Sequence, residues 1–526
     1  ARQHPPLMSP AARTRRGSGK GPALFRKILV ANRGEIAVRV IRTCRRLGIS
    51  PVAVCSEADR SSLHVRMADE AWPIGPAPAP ESYLRIEAIL DAARRSGAEA
   101  IHPGYGFLAE NPEFAQACRD ARLAFIGPPA PAMRKLGNKI EGRKRMAAAG
   151  VPVIPGVEKR GLTAGQLRAW ADRTGYPILL KAAAGGGGRG MRIVRSPEEV
   201  EGALATARSE ARSAFGDDTV FAERYLEGAR HIEVQILVDH EGRGISLGER
   251  ECSVQRRHQK LLEETPSPVV DEATRRRLGS YALRACRAAG YVNAGTVEFV
   301  RDLQGRFYFL EINARLQVEH PVTEAVTGMD LVESQIRIAA GEPLPAKPRS
   351  LRPRGWALEC RILAEDPENG FRPSPGRIGL YRPPAGPRVR VDGGVTEGDE
   401  VSLHYDSLLA KLITWGGSRR EAVDGMAAAL AEFRIAGVPT TLAFHRRVMA
   451  DPEFRRGEID TGYAGRLLSR PGPEIGSDAE TAALLAAAHL HLQAARRRPM
   501  PAAGPPCRWV QAGRQAGAAG DFPRNP

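Results

Sequence analysis

Between Lys27 and Val54 the hydrophobic period of this chain changes from strand to helix and back to strand. Ile28, Leu29, Val30 and Ala31 form a short apolar run. Ile36, Val40, Ile41, Cys44 and Leu47 then fall on one helical face that ends at Gly48, and Val52, Ala53 and Val54 form the next strand. That switch is a βαβ unit, which commits its two strands to lie parallel with both faces covered. Further units follow, with a helix over 82–96 and strands over 99–102 and 123–126. Residues 25–126 are therefore expected to form a doubly wound parallel sheet in an α/β protein.

The remaining chain is long enough for more than one further domain. It has 526 residues, and a domain takes about 100–200. Residues 1–24 are basic and rich in Pro, Arg and Ser, with no hydrophobic period, and are expected to be a disordered leader. A transit peptide would also be basic and free of acid, but no clear amphipathic pattern is present. Glycine and proline punctuate 127–156, which reads as a linker. A smaller segment follows over 157–228, a strand-rich one over 229–345, and a mixed region over 346–470. Residues 471–526 open with a helix, capped by Ser477 and Glu480 with leucines 484, 485 and 492 on its inward face, and continue as a Pro/Gly-rich tail.

Composition excludes several classes. No apolar run approaches the roughly 18 residues of a membrane span. Seven cysteines, odd in number and without a C-x-x-C pair, indicate neither a disulfide framework nor a zinc knuckle, so a reducing cytoplasm is expected. The net charge is +17, but residues 1–34 carry +8 and 471–526 carry +2, leaving +7 on the body. Acidic and basic residues are mixed there with no aromatic-rich basic stripe, so no nucleic-acid partner is expected, and an anionic small substrate suits the bias.

Three clusters carry chemistry. Gly185–Gly188 with Arg189 and Gly190 match G-x-G-x-x-G literally, but strands lie on both sides, over 177–181 and 191–194, so the glycines form a hairpin tip. Backbone without Cβ atoms can close over phosphate oxygens, with Lys181 adding a cation; a bare surface hairpin is the alternative. No P-loop sequence occurs. Next, strands around Glu298 and over 307–313 place carboxylates where apolar residues belong, with Glu311 and Asn313 on one side of their strand. Two carboxylates and an amide oxygen suit magnesium, unless the glutamates pair with Arg or Lys. Third, Ala314–Pro321 reads as extended, so that Arg315, Gln317 and Glu319 share a face able to bind and deprotonate a small oxyanion. The basic run 255–260 is by itself a solvated surface, and His231, His320 and His404 lack metal-ligand spacing.

These segments together resemble biotin carboxylase, the ATP-grasp component of biotin-dependent carboxylases. The likeness runs from about Phe25 to Leu468 through KILVANRGEIAVRVIR (27–42), HPGYGFLAEN (102–111), FIGP (125–128), KAAAGGGGRGM (181–191), QRRHQK (255–260), EINARLQVEHPVTE (311–324), ECRILAED (359–366) and YDSLLAKL (405–412). It implies a doubly wound N-terminal (pre-ATP-grasp) domain, an ATP-grasp domain with a mobile glycine-rich lid over 157–228 and its catalytic core over 229–345, and a C-terminal biotin carboxylase domain over 346–470. It further implies that Lys139, Lys181, Gly187, Gly188, Glu223, Arg224, Tyr225, Leu226, His231, Gln255 and His258 bind ATP. Glu298, Glu311 and Asn313 would hold Mg²⁺ or Mn²⁺. Lys260, Arg315, Gln317, Val318 and Glu319 would hold bicarbonate with Glu319 as base. Arg315 and Arg361 would stabilise the biotin enolate, with Tyr105 near the ureido ring.

The sequence departs from many relatives in having no Met-flanked lysine to accept biotin. The resemblance thus implies a separate biotin carboxyl carrier, together with a carboxyltransferase subunit and a homodimeric arrangement, in an acyl-CoA carboxylase. Alternatives are a pyruvate or other biotin-dependent carboxylase, another ATP-grasp ligase joining a carboxylate to an amine, or a non-enzymatic nucleotide-binding subunit. The Arg315–Glu319 constellation and the 255–260 run favour bicarbonate and biotin.

Overall fold

The computed structural model describes residues 23–158, 161–183, 191–344, 353–471 and 485–487. One compact unit runs to Leu467 and a second from Leu468. The leader expected over 1–24 lies almost wholly outside the described residues, as do the glycines 184–190 and most of the tail. Of the expected tail helix only 485–487 are described. They are helical, and Leu485, expected on its inward face, is 67% exposed.

The N-terminal sheet has five parallel strands in the order Glu70–Gly75, Ser50–Ser56, Lys27–Val30, Ala100–His102 and Ala124–Phe125. Successive residues of its central strand face opposite layers, as the period of two requires. Leu29 packs with Val52, Val54, Ile89 and Phe114. Ile28 and Val30 pack on the other side with Ile36, Val40 and Ile41 of the helix Gly34–Arg46, and that same core continues into Leu316, Leu331 and Ile336. The sheet thus shares a core with the segment that follows Asn313, which fixes where Arg315–Glu319 can lie.

An eight-stranded antiparallel sheet forms the body. Its order is Phe307–Asn313, Asn293–Arg301, Arg230–Val238, Gly244–Arg256, Gln259–Thr265, Trp356–Leu363, Leu408–Gly416 and Val389–Gly393. It passes through the boundary expected at 345/346 without a break, because Gln259–Thr265 pairs directly with Trp356–Leu363. A separate four-stranded sheet of Gly156–Val157, Val220–Arg224, Ile178–Ala182 and Arg192–Val194 carries the helices Ala164–Thr174 and Val200–Phe215 on its own small core. Among the described residues, no helix is long and apolar enough to cross a membrane.

Two local expectations fail for identifiable reasons. The stretch 127–156 is not a plain linker but contains the helices Ala130–Gly137 and Lys139–Ala148. Its punctuating residues are helix starters: Pro131 sits in the first turn of one, and Asn138 caps the other by accepting a hydrogen bond from the Glu141 amide. The segment 314–321 is not extended throughout. It leaves the sheet after Asn313, turns at Val318, and starts the helix His320–Thr327 with Glu319 in the capping position.

The histidine under the first sheet gives a pH prediction. His64 is fully buried and its Nε2 lies 3.2 Å from the Val54 carbonyl, so it is neutral and Nε2 carries the proton. Burial, only partly opposed by Asp59, pushes its pKa down from 6.5 to about 4. A depressed pKa gives stability that is present above 6.5 and lost as pH falls toward 4, since the unfolded chain binds the proton first. Between about pH 7.5 and 5 the wild-type chain should lose ~2 kcal/mol more stability than His64→Gln, whose amide can keep the bond. Denaturant midpoints at the two pH values measure this, and a constant gap between the proteins contradicts it.

Candidate active site

One row of the large sheet carries charge where a core would carry methyl groups. Register sets Glu311 opposite Glu298, Glu298 opposite Glu233, and Glu233 opposite Arg250 on four adjacent strands. Like charges placed directly across a ladder destabilise it unless cations intervene. Arg250, fully buried, donates to Glu233, to the Gln235 side chain at 2.8 Å and to the hydroxyls of Thr323 (2.8 Å) and Thr296 (3.1 Å). The Lys260 ammonium reaches three carboxylates at once: Glu233 at 2.5 Å, Glu319 at 2.7 Å and Glu298 at 3.0 Å.

Glu319 has no solvent exposure and is gripped from two sides. Lys260 donates to one oxygen and Arg361 to the other, at 2.9 Å, while Arg361 also binds Glu263. Burial alone would raise the Glu319 pKa, but Lys260, Arg361 and Arg250 hold it well below the usual carboxylate range. Glu263, equally buried, is gripped by Arg361 but not by Lys260, and burial with the neighbouring Glu319 charge pushes it up to about 7. Beside this group, Arg315 donates to Gln317 Oε1 at 2.7 Å and to Glu110 at 3.0 Å, and sits 3.5 Å from Asn313 Oδ1. The Gln317 amide nitrogen is buried without an acceptor among the described residues. An unpaired buried donor on an amide that Arg315 already binds is a place for an anion.

The second cluster lies where the small sheet meets the large one. Lys181, at the end of its strand, pairs with Glu223, which Arg143 also binds at 3.0 Å. Lys139 starts its helix beside them, its pKa lowered by burial and by Lys181 although Glu311 and Glu223 oppose the shift. The chain at 257–258 makes a two-residue hairpin turn with φ of 49° at Arg257 and 66° at His258, a turn in which most sequences place glycine or asparagine. The His258 pKa is lowered by burial, then by the charges of Lys181 and His231, so these three groups share one electrostatic neighbourhood. His231 Nε2 is 3.3 Å from Glu298, and Gln255 is buried opposite Lys260. Backbone bonds from Arg224 to Pro155 and from Tyr225 to Pro177 hold the outgoing strand, while Leu226 packs with Ile154 and Val300.

For a metal, the donor set fits. Glu298 and Glu311 face each other, and burial together with Glu298 raises the Glu311 pKa, while burial of Glu298 is outweighed by Lys260 and His231. A divalent cation between them would relieve that repulsion using hard oxygen donors, with Asn313 on the same side of the strand as Glu311. His231, Glu233 and Glu298 also bring ligand atoms within 4.8 Å, a grouping invisible in their spacing.

The structure therefore gathers Lys260, Arg315, Gln317, Glu319 and Arg361 into one cluster, with Glu298, Glu311 and Asn313 adjoining, and Lys139, Lys181, Glu223, His231 and His258 along its edge. Tyr105 lies with its ring 5.9 Å from Lys411 and its hydroxyl buried. Arg224 is exposed, and Gly187 and Gly188 lie outside the described residues. Glu110, Glu233, Arg250 and Glu263 were not singled out from sequence; Glu110 sat within 102–111, and Glu233 could have been found as a charge breaking the apolar run Ile232–Val238.

Comparison with known proteins comes out consistently across the chain. Family models match for the biotin carboxylase N-terminal domain over 24–133, the ATP-binding domain of the carbamoyl-phosphate synthase L chain over 138–347, and the biotin carboxylase C-terminal domain over 359–466. Biotin carboxylase 1 of Bacillus subtilis is 49% identical over 441 residues, covering 84% of this chain and 98% of the relative. The methylcrotonoyl-CoA carboxylase subunit alpha of Rattus norvegicus is 50% identical over 438 residues, or 83% of this chain, which spans only 61% of that relative's length. The biotin carboxylase domain dimer of Hydrogenobacter thermophilus 2-oxoglutarate carboxylase, solved with MgADP and bicarbonate, matches with TM-score 0.82 and 46% identity over 85% of this chain and 100% of that one.

The opposed glutamates yield a test that needs no turnover. Glu311→Gln should lower Mn²⁺ affinity at least about tenfold, since even outer contacts of a metal site are worth that much. Without metal it should melt no lower than the wild type, because it removes a repulsion. Unchanged Mn²⁺ binding with a lower melting temperature would mean the pair is structural.

Proposed function

The chain belongs to the biotin carboxylase family, and on that premise we propose how its own residues divide the work of ATP- and bicarbonate-dependent biotin carboxylation. The observation that carries the reading is Glu319, fully buried and bound by Lys260 on one oxygen and Arg361 on the other, together with the unpartnered Gln317 amide.

In this reading Lys139, Lys181, Gly187, Gly188, Glu223–Leu226, His231, Gln255 and His258 receive the nucleotide. Glu223 acts through its pairing with Lys181 and Arg143, which holds the lysine at the strand end. Glu298, Glu311 and Asn313 hold Mg²⁺ or Mn²⁺, which when bound neutralises phosphate charge. Arg315, Lys260, the Gln317 amide and the Val318 backbone seat bicarbonate against Glu319. A bicarbonate oxygen attacks the γ-phosphorus as ADP leaves, and Glu319 takes the bicarbonate proton. Its low pKa keeps it ionised and ready, yet makes it a weak base. An arriving anion competes for Lys260 and Arg361 and repels the carboxylate charge, so its proton affinity rises as the reaction needs it. Carboxyphosphate then breaks its C–O bond to give CO₂ and phosphate. Phosphate removes the N1′ proton of biotin, and the nitrogen attacks CO₂ while Arg315 and Arg361 stabilise the enolate oxygen.

The biotin ring is delivered to Arg315 and Arg361 on a biotinylated carrier domain. We further infer a carboxyltransferase partner, a homodimer and a cytoplasmic setting; the dimer form of the H. thermophilus domain supports the second, and the buried free thiols of the six described cysteines fit the last. The acceptor differs among relatives, whose names include methylcrotonoyl-CoA and 2-oxoglutarate carboxylases. An acyl-CoA carboxylase is our reading for this chain.

Glu319→Gln tests the assignment by keeping shape and removing the base. Bicarbonate-dependent ATP turnover, followed with and without free biotin, should fall about 10²–10⁴-fold with nucleotide affinity held. Turnover near the wild-type level would sink the assignment.

A further inference from the structure

The segment that carries Glu319 belongs to no ladder, so something other than a sheet must hold its backbone. Buried carbonyls need a partner, and here side chains supply the shortest contacts. The Gln317 carbonyl accepts from His320 Nδ1 at 2.8 Å. The Val318 carbonyl accepts from Lys411 Nζ, also at 2.8 Å. Lys411 stands on the strand Leu408–Gly416, opposite Arg361 in register, and its side chain has no solvent exposure.

A buried ammonium needs charge compensation as well as an acceptor. Glu35, in the first turn of the helix Gly34–Arg46, lies 3.2 Å from Lys411 Nζ and is 3% exposed. Gly394 lets the two domains come this close, since a Cβ there would sit 2.4 Å from the Glu35 amide nitrogen. Burial pushes the Glu35 pKa up to about 7 against the pull of Lys411, and the other carboxylates facing Lys411 are less suited to balance it. Asp392 is bound by Arg390 through both oxygens, and burial, against the pull of Lys411, drives the Glu359 pKa far upward.

We propose that Lys411 is a positioning residue for the carboxylation site: by holding the Val318 carbonyl it fixes the peptide that joins Val318 to Glu319, with Glu35 serving only as its counter-charge. This rests on reading Arg315–Glu319 as the bicarbonate segment. Freeing that peptide would let Glu319 drift from Lys260 and Arg361, which it meets at 2.7 and 2.9 Å. The loss should fall on bicarbonate rather than on nucleotide, whose proposed ligands belong to other segments of the chain.

Three variants of the full chain separate positioning from simple charge balance. Lys411→Met should raise KM for bicarbonate about 10- to 100-fold, the usual cost of small misplacements, and leave ADP affinity within about twofold. Glu35→Gln keeps the lysine and its bond, so its KM for bicarbonate should stay within about twofold of wild type. The double variant removes both charges, so its melting temperature should recover relative to Lys411→Met while its KM stays raised. Recovery of both in the double variant would overturn the proposal and leave an ion pair. If Lys411→Met does not fold, Glu35→Gln decides: an unchanged KM supports the proposal, and a tenfold rise overturns it. Failure of the underlying site reading shows elsewhere, as a Glu319→Gln protein that still responds normally to bicarbonate.

Discussion

The Lys260 ammonium is the interaction on which the site depends. Three carboxylates from three separate segments, Glu233, Glu298 and Glu319, converge on it within 3.0 Å. Buried carboxylates at this density cost several kcal/mol apiece unless a cation meets them. Its partners fall in three roles on our reading: a sheet-borne counter-ion, a metal ligand and a base. Burial opposes the charge on Lys260, yet these carboxylates keep it protonated well above the usual range. The result is a cation that stays charged in a dry setting, where it acts most strongly on an incoming anion.

The folds around it are arranged to deliver those segments. The parallel sheet shares its core with Leu316, so it anchors the chain just before the turn at Val318. The eight-stranded sheet carries Glu233, Glu298, Glu311, Lys260 and Arg361 on adjacent strands, and by continuing past residue 345 it places Arg361 within reach of Glu319. The small sheet brings Lys181 and Glu223 from the side. Each contributes short, rigid strands to the chemistry, which is how a site keeps its distances.

Much of this was legible because apolar strands announce themselves. The βαβ start, the 293–301/307–313 hairpin and the strands flanking the glycines all follow from local period. The glycine tip itself lies outside the described residues. Legibility failed where partners are distant in sequence. The alternation Arg315-Leu316-Gln317-Val318-Glu319 imitates a strand, but the backbone there joins no sheet, and the Gln317 and Val318 carbonyls are held by the His320 and Lys411 side chains. Glu35 and Lys411 are 376 positions apart, and no local pattern marks either as the other's counter-charge. At 127–156 proline and glycine imitate a linker, but Pro131 and Asn138 begin helices, and the cap signals mark both.

The most direct measurement of the chemistry is the fate of bicarbonate oxygen. If bicarbonate attacks the γ-phosphorus and the C–O bond of carboxyphosphate then breaks, one bicarbonate oxygen must leave on phosphorus. With unlabelled ATP and with bicarbonate uniformly labelled with oxygen-18, phosphate released in bicarbonate-dependent turnover should carry a single labelled oxygen. Unlabelled phosphate formed at the same rate would show that water is the nucleophile and would contradict the role given to Glu319 and its cations.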